Sequence, residues 1–343
     1  MNIRPDLLFY GKMVQHRFLL AGQVEVTSDC NQHCKGCDSW RDHQSGKLRA
    51  AWSAQAMQRL CAELAESGTF EHLSLTGGDP EAWPPLDAFL EWFDRDLGHP
   101  FQLQINTALA APVSAGRAIL YREAVDDLRV SFDSVSPEIY ARVRGDLKTT
   151  PEQIIGRIED IAHPRWAANV TAYKENINAI PATLRALAQL DPAPRKIMVM
   201  AGIGARAGKD LDFWARFEHL SHVKWEAETS FEESALTVRR WMEDKGSEDV
   251  ACYAGRSTFH LKANGEVYPC CLVGGEALET RGEFSLGNFV ENHEYSLKRI
   301  LDRSTPQKHY ANPALPCKEI CQYKQAALNV VTSWAVKQNL AMP

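Results

Sequence analysis

Three cysteines, Cys30, Cys34 and Cys37, stand in the stretch CNQHCKGC with the spacing C-x3-C-x2-C. Thiolates at such spacing ligate zinc or iron–sulfur clusters. A structural zinc site takes four ligands. No fourth cysteine follows here, and His33 would crowd the same short turn. A zinc knuckle is one reading. The other is a cluster held by three thiolates, with one iron left for an exogenous ligand, as chemistry on a bound molecule requires. Of nine cysteines in all, five more fall late in the chain: Cys252, Cys270, Cys271, Cys317 and Cys321. Disulfides are not expected in a reducing compartment, so this clustering favours metal sites.

Cys61 stands apart. It lies in SAQAMQRLCAELAESG, where Met57, Leu60, Cys61 and Leu64 follow i, i+3, i+4, i+7 spacing. Ser53 is the expected N-cap and Gly68 the expected C-cap of that helix, with Cys61 in the core. Further helices are expected over 84–97, 151–162, 181–190 and 210–219. Between them run short β-type stretches: QVEVT (23–27), HLSLT (72–76), FQLQINT (101–107), LRVSFD (128–133), ANVTAY (168–173) and KIMVM (196–200). Strands alternating with helices predict a parallel α/β sheet, doubly wound or an open barrel, with function at the C-terminal strand ends. Cys30 follows the first strand by two residues and TGGDP closes the second, so both fall on one rim.

The cysteine loop, in that position, resembles the signature of the radical SAM superfamily. The resemblance implies a partial (β/α)6 TIM-like barrel over about residues 20–220, after a lead-in of 1–19. It implies a 4Fe–4S cluster on Cys30, Cys34 and Cys37, with S-adenosylmethionine on the open iron. The expected activity is reductive cleavage to a 5′-deoxyadenosyl radical that abstracts a substrate hydrogen atom. LSLTGGDP is similar to the family's GGE motif, which places Gly77, Gly78 and Asp79 near the methionine amino group, with Asp for Glu. QINTAL places Asn106 near the carboxylate and ribose. LRVSFDSVSPEIYARVRG resembles the fourth-strand segment, which places Ser131 and Asp133 near ribose or substrate and Arg144 near the methionine carboxylate. Gly36 stands where relatives often carry an aromatic residue, so adenine contacts are not assigned.

The pattern C-x12-G-x4-C from Cys252 through Gly265 to Cys270, with FSLGNF at 284–289, resembles the SPASM/twitch extension. Cys252, Cys270, Cys317 and Cys321 would close one auxiliary 4Fe–4S cluster suited to electron transfer, in a small cysteine-rich domain spanning 221–325 with its connector. ANGE between two short strands there is a hairpin signal. Residues 225–245 read as a solvated connector and 326–343 as a C-terminal helix and tail. Cys271 is left over. It is a hydrogen-atom donor, a substitute ligand or a buried small residue on this reading.

A net charge of −6 gives no footprint for nucleic acid, and no apolar run is long enough for a membrane span. The start lacks a signal-peptide core, so a cytoplasmic protein is expected. The implied partners are a flavodoxin or ferredoxin reductant and a small-molecule or peptide substrate. Only 29 residues precede Cys30, which tilts the expectation toward oxidation or epimerisation of a small molecule. A non-catalytic metal-binding protein is the contrasting class. Asp133, Tyr140, His260 and Glu266 are titratable, and none is assigned as a base.

Overall fold

The computed structural model describes residues 19, 21–34, 37, 50–145, 148–202, 211–231, 255, 258–270, 285–291 and 296–302. Its frame is one sheet in the order β10-β9-β8-β1-β2-β3-β4-β5-β6-β7. Six strands are those expected: β1 (Ala21–Thr27), β2 (His72–Gly77), β3 (Gln102–Thr107), β4 (Asp127–Ser131), β5 (Trp166–Ala172) and β6 (Lys196–Ala201). Each pairs in parallel with the next. The helices between them are α1 (Ala54–Glu66), α2 (Leu86–Trp92), α3 (Ala115–Ala124), α4 (Pro137–Arg144), α5 (Pro151–Ile161) and α6 (Ile180–Ala188). Beyond β6 lies α7 (Leu211–Ser221).

Alternation decides which face of the sheet is covered. Val24, Val26, Leu73, Leu75, Leu103, Ile105, Leu128, Val130, Ile197 and Val199 are buried with the apolar stripe of α1, including Cys61. The opposite residues, Glu25, Ser74, Gln104, Asn106, Arg129, Ser131, Asn169 and Thr171, form a polar inner face. Ser53 caps α1 as its type predicts, its hydroxyl accepting from the Ala56 N–H. The C-cap is Ser67, one residue before the expected Gly68.

Two departures widen the frame. β7 (Thr229–Phe231) adds a parallel strand beside β6, within the stretch read as a solvated connector. Phe231 packs there edge-on against Phe217. A three-residue strand is too short to show alternation in sequence, and its flanking glutamates mask it. On the other edge, β8 (Thr258–Leu261) pairs in parallel with β1 and turns through Asn264–Gly265 into β9 (Glu266–Tyr268), the expected hairpin. β10 (Gly287–Asn288) then pairs with β9, and α8 (Leu297–Leu301) follows. The architecture is thus a mixed α/β, partial TIM-like barrel whose β1 edge carries the hairpin.

Candidate metal and cofactor centre

The cysteine loop leaves β1 at Thr27 and is held from two sides. On one side is the end of β2: the Gly78 N–H donates to Thr27 O and the Asp79 N–H to Asp29 O, both at 2.8 Å. Gly77 has φ +134°, and a Cβ on Gly78 would overlap Asp29 O. The glycine pair therefore lets the two backbones touch. On the other side is the end of α4. The His33 N–H donates to Arg144 O at 3.2 Å, and a Cβ on Gly145 (φ +89°) would come within 2.6 Å of His33 O. Gln32 ties the middle: its Nε2 donates to Tyr140 Oη at 3.1 Å and its Oε1 accepts from Arg144 at 3.2 Å.

Within this clamp Cys30, Cys34 and Cys37 are each partly exposed, and none is in a disulfide. The Gln32 N–H points at Cys30 Sγ at 3.3 Å, and an Arg144 N–H at Cys34 Sγ at 3.8 Å. Donors aimed at sulfur favour the thiolate that a metal requires. Without metal, burial and then the Asp79 carboxylate push the Cys30 thiol up to about 12. Three partly exposed cysteines on one short, braced loop, with donors to two of their sulfurs, fit an iron–sulfur cluster.

The other sequence-derived residues divide into two levels. Asp79 is buried, and its carboxylate accepts from Thr107 Oγ1 (2.8 Å) and the N–H groups of Ala108 and Glu81 (both 3.1 Å). Burial, then the charge of Glu81, raises it to about 6 against these donors. Asp133 is buried as well: it pairs with Arg144 Nε at 2.6 Å and accepts from the Thr171 N–H at 2.7 Å. Gly77, Gly78, Asp79, Asp133 and Arg144 thus gather around the cysteine loop at the rim. Asn106 and Ser131 lie on the inner face instead; Asn106 bonds Ser74 and Gln104, and Ser131 is the register neighbour of Asn169. Cys270 lies just after β9, partly exposed. Cys252, Cys271, Cys317 and Cys321 lie outside the described residues.

Several groups of the site were either not singled out from sequence (Gln32, Tyr173, Glu25 and Lys262) or named there without a role (Tyr140 and His260). Gln32 and Tyr140 lock the loop across 108 residues of chain. Tyr173 follows β5 against Gly202, its hydroxyl pushed up by burial and by Asp133. A buried triad, Glu25 with Lys262 at 2.7 Å and His260 at 3.1 Å, joins β1 to the hairpin. The polar positions in β1–β5 alternating with apolar ones were the available signal.

Comparison with known proteins agrees with this geometry. Residues 24–185 match the model of the radical SAM superfamily, and residues 252–323 that of an iron–sulfur cluster-binding domain, SPASM. The chain thus carries a radical SAM domain over residues 24–185 and a SPASM-type iron–sulfur cluster-binding domain over residues 252–323. 4Fe–4S clusters and S-adenosylmethionine are the cofactors these domains imply. A 7-carboxy-7-deazaguanine synthase of Bacillus subtilis (strain 168) is 32% identical over 95 residues, 25% of this chain and 37% of that protein's length. Streptococcus suis SuiB bound to S-adenosylmethionine superposes with TM-score 0.62 at 14% identity, covering 91% of this chain and 74% of SuiB. Native anSMEcpe with bound AdoMet gives 0.60 at 14% identity, covering 90% and 88%. At such identity these likenesses establish the fold alone.

Proposed function

We propose that this chain binds a 4Fe–4S cluster through Cys30, Cys34 and Cys37 and uses S-adenosylmethionine there to begin radical chemistry. The target is a small, natural-product-type substrate that is oxidised or epimerised. When bound and reduced, the cofactor pair supplies a 5′-deoxyadenosyl radical that takes a hydrogen atom from substrate. The observation that carries the reading is the clamp of Gly77–Gly78 and Arg144–Gly145 on the cysteine loop.

The chain's own groups have defined tasks on this reading. Gln32 and Arg144 orient the loop and aim donors at its sulfurs. Asp133 fixes Arg144, whose guanidinium is the group for the methionine carboxylate. Backbone at Gly77–Asp79 borders the place of the methionine amino group, and Asn106 and Ser131 face ribose or substrate from below. Cys252, Cys270, Cys317 and Cys321 hold an auxiliary cluster for electron transfer, and Cys271 beside it is the hydrogen-donor candidate. Flavodoxin or ferredoxin supplies electrons, in the cytoplasm.

A second reading, modification of a ribosomally made peptide, is supported by the occupants of two proteins of this fold. SuiB has been solved bound to its precursor peptide SuiA, and anSMEcpe with a Cp18Cys peptide. The test of both readings begins with anaerobically reconstituted protein, its iron and sulfide content, and reduction with S-adenosylmethionine. About eight irons per chain with 5′-deoxyadenosine formed is the expected result for two 4Fe–4S clusters. Zinc in place of iron, with no deoxyadenosine, returns the chain to a structural metal protein.

A further inference from the structure

Three non-glycine residues among those described hold positive φ: His99 (+53°), Leu109 (+49°) and Ala162 (+46°). Two of them have an ordinary reason. Ala162 is the C-cap of α5, and His99 follows Gly98, the cap of the helical turn Phe93–Leu97. Leu109 has no helix behind it. It stands two residues beyond β3 with its side chain wholly buried. An L-residue takes this conformation only where its surroundings impose it.

Strain at such a place points to a use, and the bonds around Leu109 show where it leads. Its N–H donates to Thr107 Oγ1 at 2.9 Å. The Thr107 hydroxyl donates in turn to Asp79 Oδ1 at 2.8 Å, and the Ala108 N–H to Asp79 Oδ2 at 3.1 Å. Asp79 is 1% exposed, and the Glu81 N–H is a third donor to its carboxylate. That carboxylate is spent inside the protein. What Asp79 gives the cluster site is backbone, its N–H bonding Asp29 O one residue before Cys30. From the other direction, Arg157 of α5 donates to Leu109 O at 2.6 Å, and Thr149, just before that helix, to Ala110 O at 2.7 Å. Arg157, being charged, is the stronger of these two donors.

We infer that Arg157 is a positioning residue for the cofactor site: by holding Leu109 left-handed it fixes Thr107 and Asp79, and through them the Gly77–Gly78 turn against the cysteine loop. The inference rests on the radical-enzyme reading above, in which that turn borders the methionine amino group. Without the guanidinium, Leu109 relaxes toward right-handed backbone and the Thr107 hydroxyl leaves Asp79. Only a fraction of molecules then keeps the turn in place, and apparent affinity for a ligand falls by that fraction.

The test uses the anaerobically reconstituted full chain, with S-adenosylmethionine titrated against the electron paramagnetic resonance of the reduced cluster. Arg157→Met keeps most of the stem and is expected to weaken binding about tenfold, the share that a left-handed leucine loses to a right-handed one. Arg157→Lys keeps a charged donor and is expected to recover part of the loss. Adding Leu109→Gly to Arg157→Met is expected to restore affinity while lowering the urea midpoint further, since glycine takes positive φ freely but leaves a cavity. A purely structural role would lower both together. Arg122→Met is the control. It removes the same kind of bond, to Ile161 O at 2.7 Å, where α3 and α5 lead into the starts of β4 and β5, away from the rim, and is expected to leave affinity unchanged. Hydrogen exchange over 77–81 and 107–110 is expected to quicken in Arg157→Met. Unchanged affinity in Arg157→Met, an equal loss in Arg122→Met, or a folded double variant that stays weak overturns the assignment. If the double variant does not fold, Arg157→Lys and the exchange decide: no recovery with lysine, or no quickening, overturns it. If the unsubstituted chain binds no S-adenosylmethionine, the enzymatic reading fails and the exchange alone judges Arg157.

Discussion

At the scale of single residues, the cluster site depends on where side chains are missing as much as on where thiols are present. Gly78 has no room for a Cβ because Asp29 O, one residue before Cys30, lies against it. In Gly78→Ala the obstacle is backbone, so the cysteine loop itself must move. The expected outcome is loss of the first cluster, with iron falling to the roughly four atoms of the auxiliary site. A displacement of about 1 Å is enough for a loss on the order of 100-fold in deoxyadenosine formation. Iron analysis and a single-turnover assay check it; full iron with normal turnover would show the contact to be dispensable. The Asp133–Arg144 pair makes a second case. Asp133→Asn still accepts from the Thr171 N–H but leaves the buried guanidinium without its carboxylate partner. Breaking a buried pair costs about 3–5 kcal/mol, so the urea midpoint should fall accordingly. An unchanged midpoint would mean that the Arg144 charge is compensated elsewhere.

At the scale of elements, the hairpin is fastened to the barrel by apolar and aromatic contacts as well as by strand pairing. The Trp52 indole N–H donates to Lys262 O at 2.9 Å, and its ring stacks on Phe289 at 5.9 Å between centroids. Arg59 of α1 lies over the other side of this joint, 4.2 Å from the Phe289 centroid, and bonds Phe289 O. Phe289 is fully buried, so Phe289→Ala should cost about 3–5 kcal/mol and loosen β8–β10 first. Hydrogen exchange that rises over β8–β10 ahead of β3–β5 would show this; uniform exchange would refute it. None of this joint was legible in the sequence, because Trp52 and Phe289 are 237 positions apart and the FSLGNF stretch that ends at Phe289 does not say what its ring packs against. What was legible is local. The alternation of Val24/Val26 or Leu103/Ile105 with polar neighbours announced strands, and the stripe of Met57, Leu60, Cys61 and Leu64 announced α1. The cysteine loop and GGD were readable as chemistry because their spacing is contiguous. Their bracing by Gln32, Tyr140 and Gly145 was not, since it needs the tertiary approach of α4. β7 escaped notice because three residues carry no period.

At the scale of the whole molecule, the two halves of the sheet meet at β1, and the groups buried in that seam make stability depend on pH. Glu25 is fully desolvated, which by itself would raise its carboxyl. The hydrogen bond from His260, the Lys262 charge and the other contacts of these two outweigh burial and hold it at about 2, below the ordinary 4.5. A folded value depressed in this way means that the unfolded chain binds the proton more readily. The contribution of Glu25 is therefore fully present above about pH 4.5 and is lost as pH falls from there toward 2. Removing the opposing charge should remove that dependence. In Lys262→Met, Glu25 keeps only His260, so stability at neutral pH drops by about 3–5 kcal/mol and the acid limb of the curve flattens. Glu25→Gln with Lys262→Met removes both charges and should recover part of the loss, because an uncharged pair leaves no buried charge unpaired. Denaturant midpoints of the three proteins, unsubstituted, Lys262→Met and the double variant, at pH 7 and pH 4 decide the matter. A double variant no better than Lys262→Met would mean that Lys262 acts through packing, as a fully buried four-carbon stem, and that the seam is held by shape. Recovery would mean that the barrel and the iron–sulfur domain are joined by a charge pair that acid dissolves, so that protonating one carboxylate weakens the coupling between the two halves of the molecule.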